Sequence, residues 1–137
     1  MGKSVLEKMK VGIAPELVPM PSRMIAKYGP GNLLIPTPMQ VADALRTIQK
    51  GEVRTVGQLR RCLAEEAGAQ TTCPLCTGIF WRLTAEASEE GVIPVVPYWR
   101  MVRDDGRLND KLPGGLGAQA DHLVSEGHQV AAGRLVR

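Results

Sequence analysis

The chain has 137 residues, of which 44% are hydrophobic and 23% charged, and its formal net charge is +3. This size and balance predict one globular domain with a single core, and no apolar run approaches the roughly 18 residues of a membrane span. Three cysteines, an odd number, do not make a disulfide framework. The N-terminus lacks the apolar segment of a signal peptide, so we expect a cytoplasmic protein. The mild positive charge permits nucleic-acid binding without demanding it.

Residues 1–35 are rich in proline and glycine and contain two short amphipathic pieces, at 4–10 and 22–28. We interpret them as an N-terminal arm packed on the main domain, which covers residues 36–137. Residues 33–35 predict a short strand that anchors the arm.

Two helices are predicted next. The first begins with Thr37 as N-cap and Pro38 at the first helical position, and ends near residue 50. The second follows a capping box at Thr55 and Gln58. The residues expected to face the core are Val41, Ala42, Leu45 and Ile48 in the first, and Val56, Leu59, Cys62 and Leu63 in the second.

A third helix is predicted from Cys73-Pro74 to about residue 89, after a loop at residues 68–70. Its predicted apolar stripe consists of Cys76, Ile79, Phe80, Leu83 and Ala87. The opposite face carries Pro74, Gly78, Trp81 and Ala85, with Arg82 at its edge. Two helices joined by a short loop predict a helix-turn-helix, and a face of small residues suits close approach to a minor groove.

The remaining chain predicts a turn at Asp105-Gly106 that forms a wing, and then a helix over 115–126. That helix is expected to bury Leu116, Ala120, Leu123 and Val124. Residues 129–137 predict a hairpin about Ala132-Gly133. The predicted fold class is α+β and mostly helical, a winged-helix-like domain with a helix-turn-helix and an N-terminal extension.

Three stretches resemble the O6-alkylguanine-DNA alkyltransferases over about residues 36–128. Residues 97–102, Pro-Tyr-Trp-Arg-Met-Val, resemble the family signature Pro-Cys-His-Arg-Val-Val. Residues 51–59 resemble its Gly-Glu-x-x-Ser/Thr-Tyr-x-x-Leu stretch, and residues 114–128 its closing Gly-Gly-helix-Glu-Gly-His segment. The resemblance implies the DNA-binding domain of that family.

In that family the Cys accepts the alkyl group and the His helps to form its thiolate. Here Tyr98 stands at the Cys position and Trp99 at the His position. A phenol, with a reference pKa near ~10, is a poor alkyl acceptor at neutral pH. We therefore expect a protein that is not an enzyme. It is similar to the alkyltransferase-like proteins, which bind alkylated DNA without repairing it and carry a Trp in place of the Cys.

The resemblance implies double-stranded DNA as partner, in particular O6-alkylguanine-containing DNA, together with DNA repair proteins. It implies no cofactor and no membrane, and we expect a monomer. Departures from the family pattern leave base flipping by its usual residues in doubt. They are Val56 in place of a Tyr, Leu75 in place of an Arg, Leu112 in place of an aromatic residue, and Ala120 near the position of a Glu.

The site residues follow from this alignment. The predicted DNA-binding residues are Thr55, Thr77, Gly78, Trp81, Arg82 and Arg100, and the predicted base-pocket residues are Tyr98 and Trp99. A phosphate-binding rim is predicted at Arg54, Arg60, Arg61, Arg103 and Arg107. Each has a structural alternative: Tyr98 and Trp99 as core, Arg100 in an ion pair, Trp81 packed beneath the arm, and exposed arginines as solubility charges.

Cys73 and Cys76 form a Cys-x-x-Cys pair. Such a pair is half of a zinc site, a redox pair, or ordinary packing and capping at the start of a helix. A zinc site needs Cys62 and His122 or His128 to converge on it. No metal is assigned, with Cys73 and Cys76 as the candidates.

Two alternative functions remain open. One is a winged-helix protein that has lost the base pocket and binds another protein or undamaged DNA. A filled space around Tyr98, or an acidic patch of Glu86, Glu89 and Glu90, favours it. The other is a metal or redox sensor that uses Cys73 and Cys76.

Overall fold

The computed structural model describes residues 4–10 and 14–136. The fold is α+β and mostly helical, as the sequence predicts. Among the described residues, no helix has the length and apolar character that crossing a membrane requires.

The helices and strands are short. The helices are α1 (Val5–Met9), α2 (Ser22–Tyr28), α3 (Pro38–Arg46), α4 (Val56–Ala67), α5 (Pro74–Glu89) and α6 (Gly115–Ser125), with a 3-10 turn at Tyr98–Arg100. The strands are β1 (Glu16–Pro19), β2 (Asn32–Ile35), β3 (Arg54–Thr55), β4 (Thr71–Thr72), β5 (Met101–Val102), β6 (Gln129–Ala131) and β7 (Arg134–Val136). They form three small sheets, β1-β2-β4, β3-β5 and β6-β7.

The N-terminal segment is hydrogen-bonded to the rest of the chain. β2 pairs antiparallel with β1 and parallel with β4, which lies between α4 and α5. α1 packs against α5 and α3, and Met9 is buried in the main core. The strand predicted at residues 33–35 therefore anchors this segment, while the boundary at residue 36 stays a prediction.

The helix starts follow their capping residues. Thr37 and Thr55 both form complete capping boxes, with Gln40 and Gln58 respectively. Each threonine side chain accepts a hydrogen bond from an N–H that lacks a partner within its helix.

α3 ends at Arg46, four residues before the predicted end. The Thr47 hydroxyl donates to the Ala44 carbonyl (2.6 Å), and Ile48 N donates to the Leu45 carbonyl. These bonds span three residues, so they tighten the end of the helix into a turn.

α5 is rotated by about a quarter turn from the predicted orientation. Its buried residues are Thr77, Trp81, Leu83, Thr84, Ala85 and Ala87. Ile79, which was predicted to be in the core, is 54% exposed, whereas Trp81 is 1% exposed. Burying the large indole removes more apolar surface from water than burying Ile79 would. α5 is also covered by α1, α3 and α4, so that only a narrow strip faces solvent.

Two other helices also differ from their predicted faces. In α4, Cys62 is exposed and Ala64 is buried beside Leu59 and Leu63. In α6, Leu116 and Val124 are exposed, and Gln119 is buried with Leu123.

The hydrogen bonds of the Gln119 side chain explain why this polar residue is buried. Its amide accepts from Asn109 N (2.7 Å) and donates to the Met101 carbonyl (2.9 Å). A polar side chain that satisfies two buried backbone groups is stable inside the protein. An apolar periodicity rule does not find such a residue.

The predicted turn at Asp105-Gly106 is present, with Gly106 in the left-handed region (φ +88°). It lies against the β6-β7 hairpin, because Leu135 N donates to the Gly106 carbonyl and Leu108 N to the Gly133 carbonyl. The hairpin turns at Ala132-Gly133, as predicted. A role of the Asp105 turn as a wing stays a prediction.

The rotation of α5 predicts opposite behaviour for two adjacent residues. Trp81→Ala should lower the free energy of unfolding by about 3–5 kcal/mol, because it leaves a cavity in the core. Arg82→Ala, one residue on, should change it by less than about 0.5 kcal/mol. Urea unfolding of both variants measures this difference. Equal losses would contradict the observed face of α5.

Candidate nucleic-acid interface

The exposed strip of α5 begins with an apolar ridge. Leu75 is 72% exposed and Ile79 54% exposed, and Gly78 lies between them on the same face. A Cβ atom added at Gly78 would meet no heavy atom within 4 Å. The N-terminal half of α5 therefore presents its backbone to solvent at Gly78, between two apolar side chains.

Charged residues flank this ridge. Arg82 is exposed and pairs with Glu86 (3.1 Å). Together with Lys8 of α1, they line a shallow depression beside Ile79. Glu89 and Glu90 follow at the C-terminal end of α5. The positive groups thus lie near the middle of α5, and its last two turns are acidic.

Thr77 and Trp81 lie in the core and not on this strip. The Thr77 hydroxyl donates to the Cys73 carbonyl (2.7 Å), and the Trp81 indole donates to the Tyr98 carbonyl (3.0 Å). Both side chains are buried. The rotation of α5 turns both side chains inward, and a contact of either one with DNA stays a prediction. Gly78 and Arg82 do share the exposed strip.

Thr55 is an N-cap. Its hydroxyl oxygen accepts from Gln58 N (3.2 Å), and the Gln58 side chain accepts from Thr55 N (2.8 Å). Next to it, Gly57 N donates to the Asp104 carboxylate (2.7 Å). The N-terminus of α4 therefore already carries an anionic group from its own chain. A phosphate contact by Thr55 stays a prediction.

The Tyr98 ring fills the position that was predicted to be an open pocket. Tyr98 is 2% exposed, and its hydroxyl donates to Glu89 (2.6 Å). Burial raises the pKa of Tyr98 well above its usual range, and the neighbouring Glu89 carboxylate raises it further. The phenol therefore stays protonated at neutral pH, in a form that is a poor nucleophile.

Trp99 stacks on His122, with ring centroids 4.0 Å apart and planes 12° apart. It also meets the Tyr98 ring edge-on at 5.3 Å, and its indole donates to Glu126 (3.1 Å). One face of the Trp99 ring is thus covered by His122. The contacts favour the alternative core role for Tyr98 and Trp99, and a base pocket lined by them stays a prediction.

Arg100 is held inside by Glu126. Its guanidinium donates through Nε (3.0 Å) and Nη2 (2.7 Å) to that carboxylate, and through Nη1 to the Ile48 carbonyl (2.8 Å). The side chains are 15% and 7% exposed respectively. Arg100 thus forms the structural ion pair that was its alternative role, and a contact of Arg100 with DNA stays a prediction.

Sequence reasoning assigned no role to Glu126, and it named His122 only as a conditional zinc ligand. The signal for Glu126 was present, because it belongs to the Glu-Gly-His segment at the end of α6. His122 carried no such signal, because its stacking on Trp99 depends on how α6 packs against the 3-10 turn.

The predicted arginine rim divides into two groups. Arg60 donates to the Thr72 carbonyl, Arg54 to the Thr47 hydroxyl and Arg103 to the Asn109 side chain. These three donate to uncharged groups within the protein. Arg61 is exposed on α4, and Arg107 is exposed and pairs with Asp105. A role of the rim in phosphate binding stays a prediction.

The cysteines do not form a metal site in the described part of the chain. Cys62 is exposed on α4 and Cys73 and Cys76 are partly buried at the start of α5. No group of three or more metal-ligating side chains occurs among the described residues. The zinc set considered as an alternative, Cys73 and Cys76 with Cys62 and a histidine, is therefore not assembled among the described residues.

Comparisons with known proteins gave few matches. No protein-family model matches the chain, and no curated protein matches it. Among solved structures, the backbone is similar to that of S. pombe Atl1 in complex with damaged DNA containing O6-carboxymethylguanine. The sequences are 22% identical, the match covers 69% of this chain and 78% of that one, and the TM-score is 0.49.

The ion pair between Glu126 and Arg100 predicts a pH-dependent contribution to stability. Hydrogen bonds from Arg100 lower the pKa of Glu126 from its usual value of 4.5, although burial opposes them. A carboxylate whose pKa is lower in the folded state than in the unfolded state stabilises the fold at pH values above the unfolded-state pKa. This stabilisation is lost as pH falls through the folded-state pKa.

We therefore expect Glu126→Gln to cost about 3 kcal/mol at pH 7, because it leaves Arg100 without its counter-charge. The cost should shrink as pH falls below the usual value of 4.5 and through the lower pKa of the folded carboxylate. Urea unfolding at several pH values measures both effects. Glu66→Gln, on the exposed side of α4, is the matched control, with an expected change at pH 7 below about 0.5 kcal/mol. A pH-independent cost would refute the role of the charge.

Proposed function

We propose that the protein is a non-enzymatic DNA-binding protein that presents the N-terminal half of α5 to duplex DNA. The observation that carries this proposal is the exposed Gly78, which stands between Leu75 and Ile79 with no heavy atom within 4 Å of an added Cβ.

The glycine is costly inside the helix. Gly in a helix interior is about 1 kcal/mol less favourable than Ala, and Gly78 is the fifth of the 16 residues of α5. Because the space beside it is open, the fold itself accepts a larger residue there. A partner that must approach the backbone closely provides a physical reason for the glycine.

Duplex DNA is such a partner. A minor groove about 6 Å wide admits a helix about 10–12 Å across only where the side chains are small and the groove opens. Proteins that open it use apolar side chains as wedges, and Leu75 and Ile79 are exposed at the required place. Arg82 and Lys8 lie close enough to add phosphate contacts.

The proposal includes damage recognition. The resemblance of residues 97–102 to the alkyltransferase signature supports a preference for alkylated or otherwise modified bases. The buried, protonated Tyr98 supports the absence of alkyl transfer. Because Tyr98 and Trp99 pack on each other and on His122, we propose that a modified base is recognised without entering the space that they fill.

A second candidate function is general binding of DNA, or of a protein, without recognition of lesions. It is favoured by the occupied space at Tyr98 and by the acidic C-terminal turns of α5. Two of these carboxylates already have partners, since Glu86 pairs with Arg82 and Glu89 accepts from Tyr98. The acidic surface is thus confined to one end of the helix.

Fluorescence anisotropy with two duplexes that differ only by one O6-methylguanine separates these candidates. We expect tighter binding to the modified duplex, and weaker binding to both as salt rises. Equal and salt-sensitive binding would leave general DNA binding. Absence of binding to either duplex would refute the DNA proposal and leave a protein partner.

Substitution of Gly78 tests whether α5 is the contacting element. Gly78→Glu should keep the fold and weaken DNA binding roughly tenfold or more, because it adds bulk and negative charge to the interface. Gly117→Glu is the matched control, because Gly117 is exposed on α6 and an added Cβ would also meet nothing within 4 Å. Equal losses in the two variants would show that net charge, and not the surface of α5, governs binding.

The corresponding alanine variants separate folding from binding. Gly78→Ala and Gly117→Ala should each leave the fold intact, and Gly78→Ala should raise the free energy of unfolding by up to about 1 kcal/mol. Only Gly78→Ala should weaken binding to DNA. Unchanged DNA affinity in Gly78→Ala would contradict the need for close backbone approach.

A further inference from the structure

Two cysteines share the first turn of α5. Cys73 is the N-cap, and its sulfur accepts a hydrogen bond from Cys76 N (3.4 Å). Both side chains are partly buried, so small molecules in solvent can reach them. The Cys73 side chain is thus folded back over the residue that carries the second thiol.

Capping alone does not require a cysteine at position 73. Ser, Thr, Asp and Asn are the preferred N-cap residues, because their oxygen atoms accept stronger hydrogen bonds than sulfur does. The same chain caps α3 and α4 with Thr37 and Thr55. A thiol at this cap, three residues before a second thiol, therefore points to a use of the sulfur itself.

The thiol of Cys76 lies in contact with its neighbour. Burial, and after it the adjacent Cys73 sulfur, raise the pKa of Cys76 to about 11. Cys76 therefore keeps its proton at neutral pH, and we assign the first attack to Cys73. Metal binding is not favoured, because these two thiols have no third ligand beside them among the described residues.

We propose that Cys73 and Cys76 form a reversible intrachain disulfide in the first turn of α5, by exchange with low-molecular-weight disulfides. Disulfides join Cβ atoms about 3.5–4.5 Å apart, and the N-cap conformation already places the Cys73 sulfur against the Cys76 backbone.

The reaction has two exchange steps. The Cys73 thiolate attacks one sulfur of the small disulfide, whose S–S bond breaks and releases a first small thiol. Cys76 gives up its proton as it attacks the Cys73 sulfur, and the intrachain S–S bond forms as the second small thiol leaves. The two protein thiols are oxidised, the small disulfide is reduced, and two protons end on the two released thiols.

The disulfide would also alter the surface of α5, a consequence that rests on the proposed function. Leu75 lies between the two cysteines, and it is the most exposed side chain of the ridge that we assign to DNA. Closing the disulfide removes the hydrogen bond from Cys76 N and constrains the turn that carries Leu75. We expect the oxidised protein to bind DNA several-fold more weakly than the reduced protein.

The test uses the full chain with Cys62→Ser, which removes the third, exposed thiol. The protein is equilibrated with mixtures of reduced and oxidised glutathione, quenched by alkylation, and digested with trypsin. We expect the peptide of residues 62–82 to lose two hydrogens and to carry no alkyl group. Glutathione adducts on both cysteines, without an internal disulfide, would overturn the proposal.

Two controls separate the folded site from the bare Cys-x-x-Cys spacing. The same chain in denaturant should form the disulfide less readily at the same glutathione ratio, and equal oxidation would show that the fold contributes nothing. Cys73→Ser keeps an N-cap and should take up only a glutathione adduct at Cys76. An internal disulfide without an effect on DNA affinity would refute only the consequence for Leu75. Failure of both redox forms to bind DNA would refute only the proposed function.

Discussion

The carboxylate of Glu126 holds three distant parts of the chain together. It accepts from the Arg100 guanidinium and from the Trp99 indole, and Arg100 in turn donates to the Ile48 carbonyl beyond α3. The end of α6, the 3-10 turn and the end of α3 thus meet at one nearly buried ion pair. Breaking such a pair leaves an uncompensated charge, which costs more than the intact pair contributes. The position of the 3-10 turn at Tyr98–Arg100 depends on this contact.

The 3-10 turn at Tyr98–Arg100 holds α5 against the core. Tyr98 is fixed from two sides, because its carbonyl accepts from Trp81 and its hydroxyl donates to Glu89, and both residues belong to α5. Trp99 is fixed between Tyr98 and His122. The same contacts that keep the phenol protonated also dock α5 on the core, with Trp81 inward. The exposure of Leu75, Gly78 and Ile79 is therefore a consequence of how the turn is packed.

Helix starts and turns were predictable because their causes are local. The capping boxes of α3 and α4, the start of α5 at Pro74, and the turns at Gly106 and Gly133 all follow from neighbouring residues. Buried faces were predicted less well. In α5 the periodicity fits two faces, and the choice between them was made by Trp81 and by the helices that cover it. In α6, Gln119 was missed because its partners are distant backbone groups.

By itself, the sequence determined that the domain is α+β and mostly helical, where its helices begin, and that position 98 holds a tyrosine, which has no thiol. Capping, proline positions and side-chain chemistry act over a few residues, so they can be read along the chain. Only the tertiary structure decided that Tyr98 is buried, that Arg100 faces Glu126, and which strip of α5 meets solvent. These outcomes depend on which side chains, far apart in sequence, pack together in the core. A local sequence pattern does not contain that information.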